Sequence, residues 1–165
     1  MTINTLTSIS IRLFVSIFVL INISYTSAAQ LTLTIQNDDK SIGTLYVALF
    51  DFEDLNKPDL SWDDMRDIRK LQHIISADEE VIQLSIEQLD TGLMCIRVFL
   101  DLNQNQQLDR SSFGLPLEPV GFANNPSLAF GEPSPDEVCF ELGADENQHG
   151  ITLRQKKSQR KRIKG

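Results

Sequence analysis

Cysteine and histidine are scarce in this chain, with two of each in 165 residues. Two cysteines, Cys95 and Cys139, cannot build a disulfide scaffold, although they suffice for one staple. Two histidines, His73 and His149, are too few for most zinc sites. Neither lies beside a serine or cysteine in a nucleophile context, so both read as surface or turn residues. Long apolar runs are missing as well. Residues 13–23 form an apolar stretch of 11, broken by Ser16 and Asn22, short of the about 20 that a membrane span requires. Basic side chains are thin on the body of the chain. Residues 30–153 hold all 23 acids and only seven Lys and Arg, a balance of −16, which excludes a nucleic-acid-binding surface. Internal repeats are absent, and only one segment has helical spacing, so a parallel sheet with crossover helices is excluded.

What is present begins with a leader. Arg12 is the only charge in the first 29 residues, and Ser27, Ala28 and Ala29 supply the small residues that a signal peptidase reads. Residues 1–29 are expected to be a signal peptide cleaved before Gln30, with no lipoprotein-type cysteine at that point. The destination is then periplasmic or secreted, and an oxidising compartment permits a Cys95–Cys139 bridge. Residues 30–153 make one domain with a single apolar core. Residues 154–165 carry seven Lys and Arg and no acid, a composition expected to be disordered. Weak contact of this tail with an anionic membrane surface is its functional reading.

Strand patterns dominate the body. Leu31, Leu33 and Ile35 alternate with Thr32 and Thr34; Ile82, Leu84 and Ile86 alternate with Gln83, Ser85 and Glu87. Residues 43–52 are apolar nearly throughout, as in a central strand. Met94, Ile96, Val98 and Leu100 form one apolar face, Val138, Phe140 and Leu142 another, and Ile151 and Leu153 close the set. By the same parity Cys95 and Cys139 point away from the core. An all-β antiparallel sandwich of about seven strands follows. Between 54 and 76 the spacing of Met65, Ile68, Leu71 and Ile75 after Ser61 predicts a short helix within a connection; the alternative is a helical turn and then a strand over 71–75.

The densest pattern lies between the strand ending at Leu100 and the one starting near Val138. Asp101, Asn103, Asn105, Gln107 and Asp109 place oxygen-bearing side chains at every second residue. Calcium takes six to eight oxygens and tolerates irregular loops, so these five, with Glu118 folding back, form a candidate calcium site. Two charged ligands among the five imply weak binding, in the roughly 10⁻⁴–10⁻³ M range. The alternative is a loop that ties its own backbone with Asx turns and holds no metal. Downstream, Gly114, Pro116, Glu118, Pro119, Gly121, Phe122, Asn124 and Asn125 are conformational restraints. The glycines permit unusual backbone angles, the prolines stiffen the chain, Phe122 plugs the underside, and the two asparagines bond the backbone that Pro126 leaves open.

This stretch resembles the bacterial domain of unknown function family 2141 (DUF2141). The family's His-Asp-x-Asn-x-Asn-Gly-x-Leu-Asp loop is matched by Asp101, Asn103, Asn105, Leu108 and Asp109. Its second motif is matched by Gly114, Pro116, Glu118, Gly121, Phe122, Asn124 and Asn125, and its third by Pro133 and Ser134. Departures are Gln106 where the family has glycine, Leu100 where it has histidine, and Ala123 where it has serine. The resemblance implies a secreted or periplasmic sandwich of immunoglobulin or transthyretin type and says little about activity.

Three function classes follow. An exported, non-enzymatic binding or accessory module leads, with the Asp/Asn-rich loop as its surface and an unknown protein or an envelope glycan as partner. A structural envelope domain with a self-tied loop is the alternative. A small hydrolase comes last, because a glycosidase needs two carboxylates across a groove that one small sandwich rarely supplies.

Overall fold

The computed structural model describes residues 28–51, 61, 62, 65, 67–76 and 78–155. The expected leader up to residue 27 and the basic tail from residue 156 lie outside them. Eight strands are present among the described residues: β1 (Ala29–Gln36), β2 (Gly43–Asp51), β3 (Asp67–Ile75), β4 (Val81–Leu89), β5 (Gly92–Asp101), β6 (Val120–Phe122), β7 (Cys139–Leu142) and β8 (Glu146–Thr152). They form two sheets. One has the order β4-β1-β8, the other β3-β2-β5-β6 with β7 also on β5. The chain is therefore an all-β sandwich. All pairs are antiparallel except β1–β8, which is parallel.

Alternation on each strand builds the layer between the sheets. Leu31, Leu33 and Ile35 of β1 and Ile82 and Ile86 of β4 face Leu45, Val47 and Leu49 of β2 and Met94, Ile96, Val98 and Leu100 of β5, all buried. Each fully buried aliphatic side chain contributes on the order of 1.5–3 kcal/mol by leaving water.

Residues 67–75 correct the helix expectation. They form β3, paired along its length with β2, for example Val47 opposite Leu71. The three- and four-residue spacing of Met65, Ile68, Leu71 and Ile75 is accidental, since Ile68 is exposed while Leu71 packs on the core. Register with β2 decides the segment. The strand alternative over 71–75 fits the structure and starts four residues earlier, while residues 54–60, 63, 64 and 66 of the expected helical segment lie outside the described residues.

The far edge of β5 is shared by two short strands. β7 pairs with its first half, placing Cys95 opposite Cys139, and β6 pairs with its second half, placing Val98 opposite Gly121. The two cysteines form a disulfide. They do point away from the inter-sheet layer, but that face is not solvent. Phe50, Trp62, Cys95, Val120, Phe122 and Val138 make a second buried apolar cluster there. The long segment between β5 and β7 covers it. The outer face of this sheet is thus covered over β5 and β6 and left open toward β3, where Lys70, Gln72 and Ile74 are exposed.

Candidate functional site

β5 ends at Asp101, whose side chain is fully buried. Its Oδ1 accepts the backbone N–H of Gln104 (2.7 Å) and Asn105 (3.3 Å), and its Oδ2 that of Gln106 (2.7 Å). Asn103 Oδ1 accepts Asn105 N–H (3.1 Å), and Asn105 Oδ1 accepts Gln107 N–H (2.8 Å). Each oxygen thus closes a turn around its own backbone. Gln104 and Gln106 sit at φ 63° and 65°, a left-handed region that costs an ordinary residue about 1–2 kcal/mol. The carboxylate of Asp101 holds both residues there. Gln106 therefore adopts the backbone in which the family pattern has glycine.

The amides of Asn103 and Asn105 converge on Asp109. Asn103 Nδ2 donates to its Oδ2 (2.6 Å) and Asn105 Nδ2 to its Oδ1 (3.0 Å). Gln107 contributes its N–H to the turn, and its side chain is exposed. Among the described residues no three His, Cys, Asp or Glu side chains gather in a metal-binding group. What gathers is one carboxylate with two carboxamides.

Glu118 anchors the return of the loop. It is 2 % exposed, and its two oxygens accept Leu102 N–H (2.8 Å) and Asp109 N–H (3.2 Å). Burial pushes its carboxyl above the usual carboxylate range, with repulsion from Asp101 and Asp109 adding to this and the two N–H donors opposing it. Farther along, Gly114 has φ +74° at a turn closed by its N–H on Ser111 O (2.9 Å). Gly121 needs no special angle. A side-chain carbon there would collide with Ile151 and Val98, so the reason for glycine is close approach of β6 to β8 and β5. Phe122 is buried against Trp62, ring centres 5.4 Å apart. Asn124 and Asn125 are spent on neighbouring strands rather than on the Pro126 break. Asn124 Nδ2 donates to Cys139 O. Asn125 takes both Gly150 O (2.8 Å) and Thr152 N–H (2.7 Å), as a further strand would.

His149 lies inside β8, correcting the turn expectation. It stacks on Phe140 at 4.3 Å, and its Nε2 accepts Asn124 N–H (3.0 Å). Burial lowers its pKa below the ordinary histidine value. His73 is paired with Glu79 at 3.0 Å.

Beside the loop lies a cleft of about 580 Å³ that sequence reasoning missed. Its floor is the outer face of β2 and β5, where Tyr46 and Phe99 stack at 4.9 Å with planes 10° apart. Trp62 forms one side. Gln106, Gln107, Leu108 and Arg110 of the loop form another. Arg97 lies over the rings of Trp62 (5.2 Å) and Phe50 (5.6 Å). Arg110 forks onto the carboxylate of Glu132 at 2.9 and 3.1 Å, and Arg97 stands 3.8 Å from the same carboxylate. The cleft thus combines flat aromatic surface, two cations fixed by one anion, and flanking carboxamides. The signal in the sequence was residues 43–52 being apolar on both parities. A strand buried on both faces reads that way.

The sequence profile of DUF2141, described as an uncharacterized protein conserved in bacteria, matches residues 33–150. The chain belongs to the DUF2141 family. The match runs from within β1 to within β8 and so takes in both sheets and the loop. No curated protein and no solved structure matches this DUF2141 chain.

Proposed function

We propose that this DUF2141 protein is an exported, non-enzymatic binding module whose ligand, a cell-envelope glycan, occupies the cleft beside the 102–119 loop. The observation that carries the reading is the half-buried Tyr46–Phe99 stack on the floor of a cleft flanked by Arg97, Arg110 and the loop glutamines. Pyranose rings pack their C–H faces on such aromatic surfaces, and fixed guanidinium and carboxamide groups bond hydroxyls and carboxylates. The loop supports this use because its acids hold its own backbone and leave Gln106, Gln107 and Arg110 to face the cleft. The leader-like N-terminus and the cystine are consistent with an oxidising compartment.

Trp62 is the single tryptophan and lines the cleft, so its emission reports occupancy. Titration with solubilised peptidoglycan fragments and with neutral oligosaccharides is expected to give a saturable change that Phe99→Ala removes. No change with any of these sugars would leave the structural-domain alternative in its place.

A second reading concerns calcium. Asn103 and Asn105 meet Asp109 at 2.6 and 3.0 Å, and turning both carboxamides over, with loss of their bonds to Asn105 N–H and Gln107 N–H, would bring oxygen from three residues to one point. Together with carbonyl oxygens and water, that arrangement supports weak calcium binding. Melting in millimolar calcium separates this from a loop without metal. A rise in Tm that Asp109→Ala abolishes is expected from the calcium reading. An unchanged Tm assigns the loop to self-tying alone.

A further inference from the structure

The register of the five-stranded sheet lays out the floor of the cleft as two rows. Tyr46 of β2 lies opposite Gln72 of β3 on one side and Phe99 of β5 on the other. Two residues along, Ala48 lies opposite Lys70 and Arg97 in the same way. All six residues line the cleft. The first row is the aromatic stack, with a carboxamide at its open end. The second has a cation at each end and a methyl group between them. Neighbouring strands stand about 4.8 Å apart, so the backbones of Lys70 and Arg97 are about 10 Å apart across Ala48, and the rows are about 7 Å apart along the strands.

Charge changes sign here relative to the rest of the body. Among the described residues that line the cleft, Lys70, Arg97 and Arg110 are cationic and Asp67 is acidic. Glu132, which holds Arg110 and Arg97, is a second acid beside them. Three cations against two acids leave one positive charge, in a body whose balance is −16. The cations differ in how they are held. Arg97 is 17 % exposed and lies over Phe50 and Trp62. Arg110 spends two of its five N–H donors on Glu132. Lys70 is 70 % exposed and meets Asp67 at 3.0 Å, three residues earlier on β3. Exposed pairs of that kind are weak and open readily.

We propose, resting on the glycan reading of this cleft, that its ligand is an acidic sugar chain: a ring lies on Tyr46 and Phe99, and its carboxylate takes Lys70 from Asp67 and faces Arg97 across Ala48. A carboxylate carries one negative charge and matches the one positive charge left over, whereas a phosphate monoester brings up to two. Charge-assisted hydrogen bonds to such a group are about twice as strong as neutral ones, so a neutral sugar gains the aromatic surface and little more. The acidic body repels an anionic chain elsewhere, and the cleft is where that field reverses. Asp67 is then the built-in competitor of the ligand for Lys70.

The test titrates the full chain, followed by Trp62 emission, with two acid–neutral pairs of sugars. One is trigalacturonate against its methyl ester. The other is the disaccharide of N-acetylglucosamine and N-acetylmuramic acid against di-N-acetylchitobiose. At least one acid is expected to bind about tenfold or more tighter than its neutral counterpart, by an advantage that raised salt reduces. The pair with the larger advantage tells whether the carboxylate sits on the ring or on a lactyl arm. Lys70→Gln should cut the advantage several-fold and leave the neutral sugars unchanged. Asp67→Asn should tighten the acid about threefold, a gain that a damaged fold does not produce. Equal binding of acid and neutral sugar in both pairs overturns the proposal and leaves the glycan reading standing, as does an acid advantage that neither variant moves. No saturable change with any of the four sugars overturns both.

Discussion

The two faces of the five-stranded sheet are built from the same strands by different means. On the inner face Leu45, Val47, Leu49, Ile96, Val98 and Leu100 meet the aliphatic side chains of the other sheet, and packing alone closes the layer. On the outer face Phe50, Arg97 and Phe99 meet a long loop, and closure needs a disulfide, an Arg–Glu–Arg cluster and buried carboxylates that tie backbone N–H groups. Aliphatic packing has no direction and tolerates exchange of similar volumes. Hydrogen-bonded closure is directional, so residue identity matters more there. The face that requires such detail is the one with the cleft. The inner face supplies stability, and the outer face supplies a defined surface.

That contrast can be broken from its strong side first. Ile96→Ala empties a fully buried site between the sheets and is expected to cost about 2–5 kcal/mol, read from denaturant unfolding. The next largest effect belongs to the outer face. Replacing Cys95 and Cys139 together by alanine should cost about 2–4 kcal/mol, because the bridge spans a sequence separation of 44 residues. Glu118→Gln keeps an acceptor for Leu102 N–H but turns an amide toward Asp109 N–H. A loss of about 1–3 kcal/mol is expected, with faster hydrogen exchange confined to the loop.

Two smaller effects sharpen the comparison. Gln106→Gly removes the left-handed strain and should raise stability by about 0.5–1 kcal/mol after the added chain entropy of glycine; melting temperature reads it. His149 has its pKa lowered by burial, so the fold prefers the neutral ring. Above the unfolded value of about 6.5 its contribution is complete. As pH falls through that value the unfolded chain takes up the proton first, and stability declines. The melting temperature should therefore fall more between about pH 7 and about pH 5 in the native chain than in His149→Gln, the raised carboxyl of Glu118 acting in the opposite sense in both.

Five strands are legible because alternation over five or more residues, or an unbroken apolar run, announces a strand directly; of β8 only the end at Ile151 is, since Glu146 to Gly150 is polar and reads as a turn. β3 was misread. It is an edge strand with Asp67, Arg69 and Lys70 in water, so little amphipathic signal remained to compete with a chance helical spacing. β6 is only three residues and exists because β5 offers it an edge, a tertiary fact that no local pattern carries. The loop announced itself through Asp101, Asn103, Asn105 and Asp109, since Asx turns are local. The cleft did not, because Tyr46, Trp62, Arg97, Arg110 and Glu132 are brought together only by sheet order and by the loop folding back.

The parallel pairing of β1 with β8 constrains how the chain can be made. The central strand of the smaller sheet acquires its second neighbour only from residues 146–152, about the last stretch of the domain to leave the ribosome. Until then β1 carries a bare hydrogen-bonding edge, and the ordering cost of joining segments so distant in sequence must be met in one late step. A nascent chain of this design stays open while it is being synthesised. One truncated before Glu146 keeps that edge permanently and should be prone to clump with its own kind.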